Sequence, residues 1–259
     1  MNKIALISVS DKTNIDLLAS KLVENGYTII STGGTANYLQ EKGIKIIPIS
    51  KFTKFEEILG GRVKTLHPII HAGILAKSKK DLDKLKNKKY SLIDIVVVNL
   101  YPFEKTIAKK TCSFSLAIEN IDIGGPTLLR ASAKNHQRVT VLTDPLDYDQ
   151  VLDEIENKGN VQPKTRLRLA TKVYSLVSKY DSLIASYLNK FTENNNGLMD
   201  ENISIDAREL SKLRYGENPH QKAKLYEIIN PHLTKFAYTQ LSGKALSFNN
   251  LVDTESAFA

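Results

Sequence analysis

Three short apolar runs in the first fifty residues, separated by stretches of helical period, constrain this chain more than any other feature. Residues 4–9, Ile-Ala-Leu-Ile-Ser-Val, read as a buried strand, and residues 11–25 follow as a helix with Ile15, Leu18 and Leu22 at helical spacing. Gly26 ends that helix. Residues 27–31 form a second strand, Gly33-Gly34 a tight turn, residues 35–42 a second helix stopped by Gly43, and residues 45–49 a third strand. Parallel strands need long crossover connections, which helices supply, so this βαβαβ alternation specifies an α/β fold with a parallel sheet covered on both faces. Residues 93–98, Ile-Asp-Ile-Val-Val-Val, are the most hydrophobic strand and are expected at the centre of the sheet. Residues 138–143 supply another before Asp144-Pro145 opens a helix.

From Pro163 onward, Leu169, Val173, Leu176 or Val177, Tyr180, Leu183 or Ile184, and Tyr187 recur every three to four residues, the mark of a long core-facing helix. Residues 192–197, Thr-Glu-Asn-Asn-Asn-Gly, then break all periodicity. This places one domain over residues 1–195, a linker over 196–212 and the incomplete start of a second domain over 213–259, whose last residues read as the opening turns of a helix.

Composition narrows the function classes. A single cysteine, Cys112, excludes an internal disulfide framework and any Cys-based zinc site. No apolar run approaches the roughly 20 residues a membrane helix needs, and the start lacks the parts of a signal peptide, so a cytoplasmic protein without membrane association is expected. The 36 Lys+Arg against 28 Asp+Glu give a net charge of +8, which suits a nucleic acid or a phosphorylated small substrate equally. The densest basic stretch, residues 77–89, interleaves Asp81 and Asp83 with Leu82 and Leu85 and contains no aromatic. It reads as a solvated helix face, and no nucleic-acid partner is expected.

Ligands of open parallel sheets bind beyond the carboxyl ends of the strands. Ser8 and Ser10 lie on one side of the first strand as it ends, followed by Lys12. Thr32-Gly33-Gly34-Thr35 puts two glycines and two hydroxyls at a helix start, where free N–H groups and the dipole favour a phosphate; the plain alternative is a tight turn with Thr35 as N-cap. Gly60-Gly61-Arg62-Val63-Lys64-Thr65-Leu66-His67-Pro68 is the densest cluster of chemical side chains, and in an extended segment Arg62 and Lys64 project to one side. Pro68 between His67 and His71 argues against a helical metal pair, so no metal site is expected. Asn99-Leu100-Tyr101-Pro102 ends the hydrophobic strand, and Asp122-Ile123-Gly124-Gly125-Pro126 sets a carboxylate ahead of a helix, where simple capping is its plain role. Lys134, on the following helix, completes a set of cations, a phenol and a carboxylate suited to an anionic substrate with acid and base partners.

In order, Ser8-Val9-Ser10-Asp11-Lys12, Ser31-Thr32-Gly33-Gly34-Thr35, the Gly60 to Pro68 run, Asn99-Leu100-Tyr101-Pro102-Phe103, Ile121-Asp122-Ile123-Gly124-Gly125 and Ala133-Lys134-Asn135-His136 resemble the N-terminal domain of the bifunctional purine biosynthesis family. That family joins phosphoribosylaminoimidazolecarboxamide (AICAR) formyltransferase to IMP cyclohydrolase. The resemblance implies a Rossmann-like sheet of the methylglyoxal-synthase-like type, and closure of the formylated ribonucleotide FAICAR to IMP with loss of water. It implies Lys64, Tyr101, Asp122 and Lys134 as catalytic residues, and leaves open which of Lys64, Asp122 and Lys134 makes each proton transfer. It implies substrate binding by Ser8, Ser10, Lys12, Thr32, Gly33, Gly34, Thr35, Arg62, Thr65, Asn99 and Gly124. No metal or organic cofactor is implied for cyclisation, and a homodimer is. Residues 213–221 and 243–253 resemble the opening of the formyltransferase domain, with Arg214, Tyr215 and His220 as nucleotide-binding remnants. The sequence ends at Ala259 before the family's formyl-transfer residues, so transfer from 10-formyltetrahydrofolate is expected to be lost. A sister domain such as methylglyoxal synthase would not need the Arg62 to Pro68 or Asp122 to Gly125 motifs. The alternative function is a non-catalytic nucleotide-binding fragment.

Overall fold

A computed structural model describes residues 3–88, 90–191, 205, 207–228 and 240–258. The elements run β1 (Lys3–Val9), α1 (Ile15–Glu24), β2 (Tyr27–Ser31), α2 (Gly33–Glu41), β3 (Ile46–Pro48), α3 (Ile49–Thr53), α4 (Pro68–Leu75), α5 (Lys79–Asn87) and β4 (Ile95–Asn99). They continue with α6 (Phe103–Ile107), α7 (Phe114–Glu119), α8 (Gly124–Lys134), β5 (Thr140–Leu142), α9 (Tyr148–Lys158), α10 (Pro163–Asn189), β6 (Ala207–Lys212), β7 (Lys224–Ile228) and α11 (Phe248–Phe258). Two compact units divide the chain, residues 1–190 and 191–259. The expected boundary at 195 and most of the expected linker lie outside the described residues.

In the first unit five strands pair in the order β3-β2-β1-β4-β5, all parallel. β1, not β4, is therefore the central strand. After β3 the chain returns to the opposite side of β1, which acquires β2 on one edge and β4 on the other. Both strands are interior, and both are apolar because helices cover the two faces of the sheet. Leu6, Ile7, Ile29, Ile30, Val96 and Val97 are fully buried. Each such side chain contributes about 1.5–3 kcal/mol by leaving water. The helices supply Ile15, Leu18 and Leu22 from α1, Leu128 and Leu129 from α8, and Leu169, Val173 and Val177 from α10 to the same core.

Local chemistry sets the element boundaries. α1 begins at Ile15 because residues 11–14 form a turn, in which Asp11 Oδ1 accepts from the Thr13 N–H and hydroxyl and Asn14 is left-handed. α2 starts at Gly33, and Thr35 is not its N-cap: Thr32 is, while the Thr35 hydroxyl accepts from Val9 N at 3.1 Å and donates to Val9 O at 2.9 Å. A second apolar cluster, Phe103, Ala117 and Tyr180 with Leu100 and Ile121 against it, lies beside the main core.

Arg138 collects the carbonyls of Gly73, Ile74, Ala76 and Ile93 at 2.6–3.0 Å. Asn135 Nδ2 donates to Ile74 O and Ala76 O as well, so the end of α8 satisfies the last carbonyls of α4. Arg166 does the same for His136 O, Gln137 O and Val161 O.

The second unit holds an antiparallel β6–β7 pair with a register shift between Glu209 and Ser211, followed by α11. Of its described residues only Gly216 and Ser247 are buried.

Candidate active site

The switch of connection direction at β1 leaves a crevice beyond the carboxyl ends of β1 and β4, where open α/β sheets bind ligands. A cavity of about 790 Å³ opens there, within the range of small-molecule sites. Ser8, Ser10, Lys12, Thr32, Gly34, Thr35, Arg62, Lys64, Thr65, Asn99, Tyr101, Asp122 and Gly124 all line it, and Gly33 stands behind the Lys64 ammonium. Of the first-domain residues expected in the site, Gly33 and Lys134 are the two that do not line it.

The wall made by β1, β2 and β4 suits an anion. Ser8 Oγ and Thr32 Oγ1 are 2.7 Å apart across the ends of β1 and β2. The Gly33 and Gly34 amides open α2 beside them, and Lys12 is half-buried. Asn99, which lines the cavity, also has a structural part. Its Oδ1 accepts from Ser10 N, Ser10 Oγ and Asp11 N at 2.6–3.0 Å, and its Nδ2 donates to Asp11 O. Its amide thus ties the turn after β1 to β4, and these bonds use one of the two Nδ2 hydrogens of a residue that lines the cavity.

The opposite wall carries Lys64 and Asp122. In the loop ahead of Arg62, Leu59, Gly60 and Gly61 have φ of 55°, 64° and 87°, a left-handed run that glycine adopts without strain. An Ile58–Val63 bridge closes this loop and aims Lys64 inward. Its Nζ lies about a van der Waals contact from where a Cβ on Gly33 or Gly61 would stand, at 4.0 and 3.9 Å. Among the described residues Lys64 makes no ion pair. Asp122 faces it. The Asp122 Oδ1 accepts from Gly125 N at 2.8 Å, so the capping role is real. A Cβ on Gly125 would come within 2.5 Å of Asp122 Oδ2, and one on Gly124 within 2.6 Å of Thr65 Oγ1; both glycines are required for room. Burial pushes the Asp122 carboxyl above the usual carboxylate range, and the Gly125 and Tyr101 amides and the Lys64 charge pull it only part of the way back. The half-exposed Tyr101 ring borders the same space.

Arg62 pairs with a carboxylate, whereas Lys64 among the described residues does not. Its guanidinium meets Glu119, Nε to Oε1 at 3.2 Å and Nη2 to Oε2, across the mouth of the cavity. Glu119 escaped sequence reasoning because its partner lies 57 residues upstream, although it stands just ahead of the Ile121-Asp122 motif. Lys134 is exposed at the far end of α8, about 15 Å from Gly124 at the helical rise of 1.5 Å per residue. The structure does not bring it to Lys64 and Asp122 within one chain. His67 Nδ1 accepts from Ile69 N and caps α4, and His71 Nε2 is buried without a partner among the described residues. In the second unit Arg214 lies over the Tyr215 ring at 4.9 Å and His220 is exposed.

Comparison with known proteins agrees with this architecture. A family model described as MGS-like domain matches residues 14–127, and one described as AICARFT/IMPCHase bienzyme matches residues 132–259. The bifunctional purine biosynthesis protein PurH of Caldicellulosiruptor bescii is 52% identical over 99% of this chain and 51% of its own length. PurH of Halalkalibacterium halodurans is 49% identical over 100% of this chain and 51% of its own. The crystal structure of ForH superposes with a TM-score of 0.64 at 35% identity, covering 71% of this chain and 98% of that one. The chain spans about half the length of the curated relatives it matches. With an MGS-like first unit and an AICARFT/IMPCHase match through its C-terminal residues, the chain belongs to the family of bifunctional purine biosynthesis proteins.

Proposed function

We propose that residues 1–190 form an IMP cyclohydrolase, acting in the cytoplasm in the last step of purine biosynthesis. The observation that carries this reading is the Asp122–Lys64 pair facing across a cavity whose other wall suits a phosphate. In FAICAR the 5-amino nitrogen already carries the formyl group, so the carboxamide nitrogen is the nucleophile. It attacks the formyl carbon, a C–N bond forms, and the nitrogen gives up a proton while the formyl oxygen gains one. Loss of that oxygen as water and of a second N–H proton completes the ring. No electrons leave the system, and the step calls on no metal or organic cofactor.

Asp122 is the proton acceptor in this scheme, because burial makes its carboxylate a stronger base than an ordinary aspartate. Lys64 is the donor to the formyl oxygen, with the Tyr101 phenol as a second hydrogen-bond donor to the same oxygen. Lys12, the Ser8 and Thr32 hydroxyls and the Gly33-Gly34 amides hold the 5′-phosphate. Thr35 and Asn99 hold those groups in place from behind, and Thr65 packs against Gly124. Lys134 has no role within one chain, and a second copy would have to bring it. A homodimer follows from the family resemblance.

The test is the ultraviolet appearance of IMP when the purified chain meets FAICAR with folate absent. Turnover that disappears in Lys64→Ala is the expected result. A folded chain that binds IMP but forms none would make it a non-catalytic nucleotide-binding fragment.

A further inference from the structure

We infer that Tyr180, on α10 and outside the cavity wall, is a positioning residue that holds the Asp122 carboxylate at the reacting atoms. This rests on the cyclisation proposed above. The Asp122 backbone N–H donates to the Tyr180 hydroxyl at 2.8 Å. Tyr180 is only 6% exposed, and its ring stands edge-on to Phe103 with centroids 6.2 Å apart. The cluster around that ring also packs Leu100, which precedes Tyr101, and Ile121, which precedes Asp122. One apolar body thus carries both loops that bring the Tyr101 phenol and the Asp122 carboxylate to the cavity.

The other holds on Asp122 act on its carboxylate. Gly125 N, in the first turn of α8, and Tyr101 N meet the side chain, so they set the orientation of the carboxylate and not the position of the Asp122 main chain. Tyr180 differs because it holds the Asp122 main chain, from a 27-residue helix whose Leu169, Val173 and Val177 are buried in the main core. Its hydroxyl therefore references a loop carboxylate to the rigid scaffold. Without the hydroxyl a half-buried N–H loses its partner, and the cheapest relief is a turn of the loop toward water. The carboxylate would then shift relative to substrate and lose the burial that makes it basic.

Tyr180→Phe keeps the ring and its packing and removes only the hydroxyl. In the full chain, carbon-13 NMR titration of the Asp122 carboxyl is expected to move to lower pH in this variant, with no substrate present. The kcat for FAICAR is expected to fall about tenfold while KM changes by less than about twofold, the signature of lost orientation in the transition state. Phe103→Leu disturbs the same cluster but leaves the hydroxyl, and is expected to lower Tm with the Asp122 titration as in wild type. Three results would overturn the inference: an Asp122 titration unchanged in Tyr180→Phe, an equal displacement in Phe103→Leu, or a kcat loss unaccompanied by any displacement. Absence of IMP formation by the wild type would sink the cyclisation reading instead, and the NMR titration would still decide the tether.

Discussion

Helix α8 starts in the cavity and ends against α4, and its two ends use polar residues in different ways. At the start, Gly124 and Gly125 clear room for Thr65 Oγ1 and Asp122 Oδ2, and the Asp122 carboxyl keeps a raised pKa because its neighbours do not fully compensate its burial. At the end, Asn135 and Arg138 spend almost every donor on carbonyls of Gly73, Ile74, Ala76 and Ile93. Satisfied polar groups stabilise; a group left short of partners retains free energy that chemistry can use. In a parallel α/β unit the helix start lies at the ligand edge of the sheet and the helix end at the opposite edge. Polar residues of one helix therefore divide into a reactive set and a structural set by position alone.

Substitutions at the two ends can break or sharpen that contrast. The largest effect is expected at Asp122→Asn, with IMP formation falling by about 10²–10⁴-fold, the usual contribution of a general base. Its stability should not fall. A carboxyl raised by burial contributes stability below its unfolded pKa and loses it as pH rises through the folded value, so at neutral pH the charged form is a cost that asparagine removes. A melt at pH 7 showing a marked drop in Tm would place Asp122 in the structural set. Next comes Arg138→Ala, which leaves four buried carbonyls without a charged donor and should cost about 3 kcal/mol in urea unfolding. Turnover per folded molecule should be unchanged in this variant, and a specific loss would make the far end reactive too. Gly125→Ala forces a Cβ to within 2.5 Å of Asp122 Oδ2 and 2.8 Å of Leu100 Cδ2. It should destabilise by about 1–3 kcal/mol and lower kcat together, since the relief of one clash displaces the carboxylate. The smallest effect is expected at Lys134→Ala, within about 0.5 kcal/mol in stability. Its turnover should stay close to wild type. A loss as large as that of Asp122→Asn would mean that Lys134 serves the cavity of a second copy.

Much of the first unit could be read from the chain. β1, β2 and β4 are apolar runs bounded by polar or glycine residues, and such runs have few alternatives to buried parallel strands. Their order was less legible. Which edge of β1 receives β4 depends on the direction of a crossover, and no local residue encodes it, so the most hydrophobic run was expected at the centre where β1 stands. Lys64 and Asp122 were legible because each sits in a glycine-marked loop at a strand or helix end. Glu119 and Tyr180 were not, because their meaning lies in partners 57 and 58 residues away. Asn99 and Thr35 were legible as residues of the site, but their bonds between strands were not, since a side chain that binds a ligand and one that stitches strands have the same local sequence. Within the Lys134 motif the structural task belongs to Asn135, whose amide holds the end of α4, and the sequence does not separate that task from chemistry at its neighbour.

The most direct measurement is the pH dependence of IMP formation from FAICAR by the wild-type chain and by Asp122→Asn, with folate absent. The account predicts a wild-type acid limb above the ordinary aspartate range, lost from the residual rate of the variant. The same limb in both proteins would contradict it, because the proton would then be moved by another group.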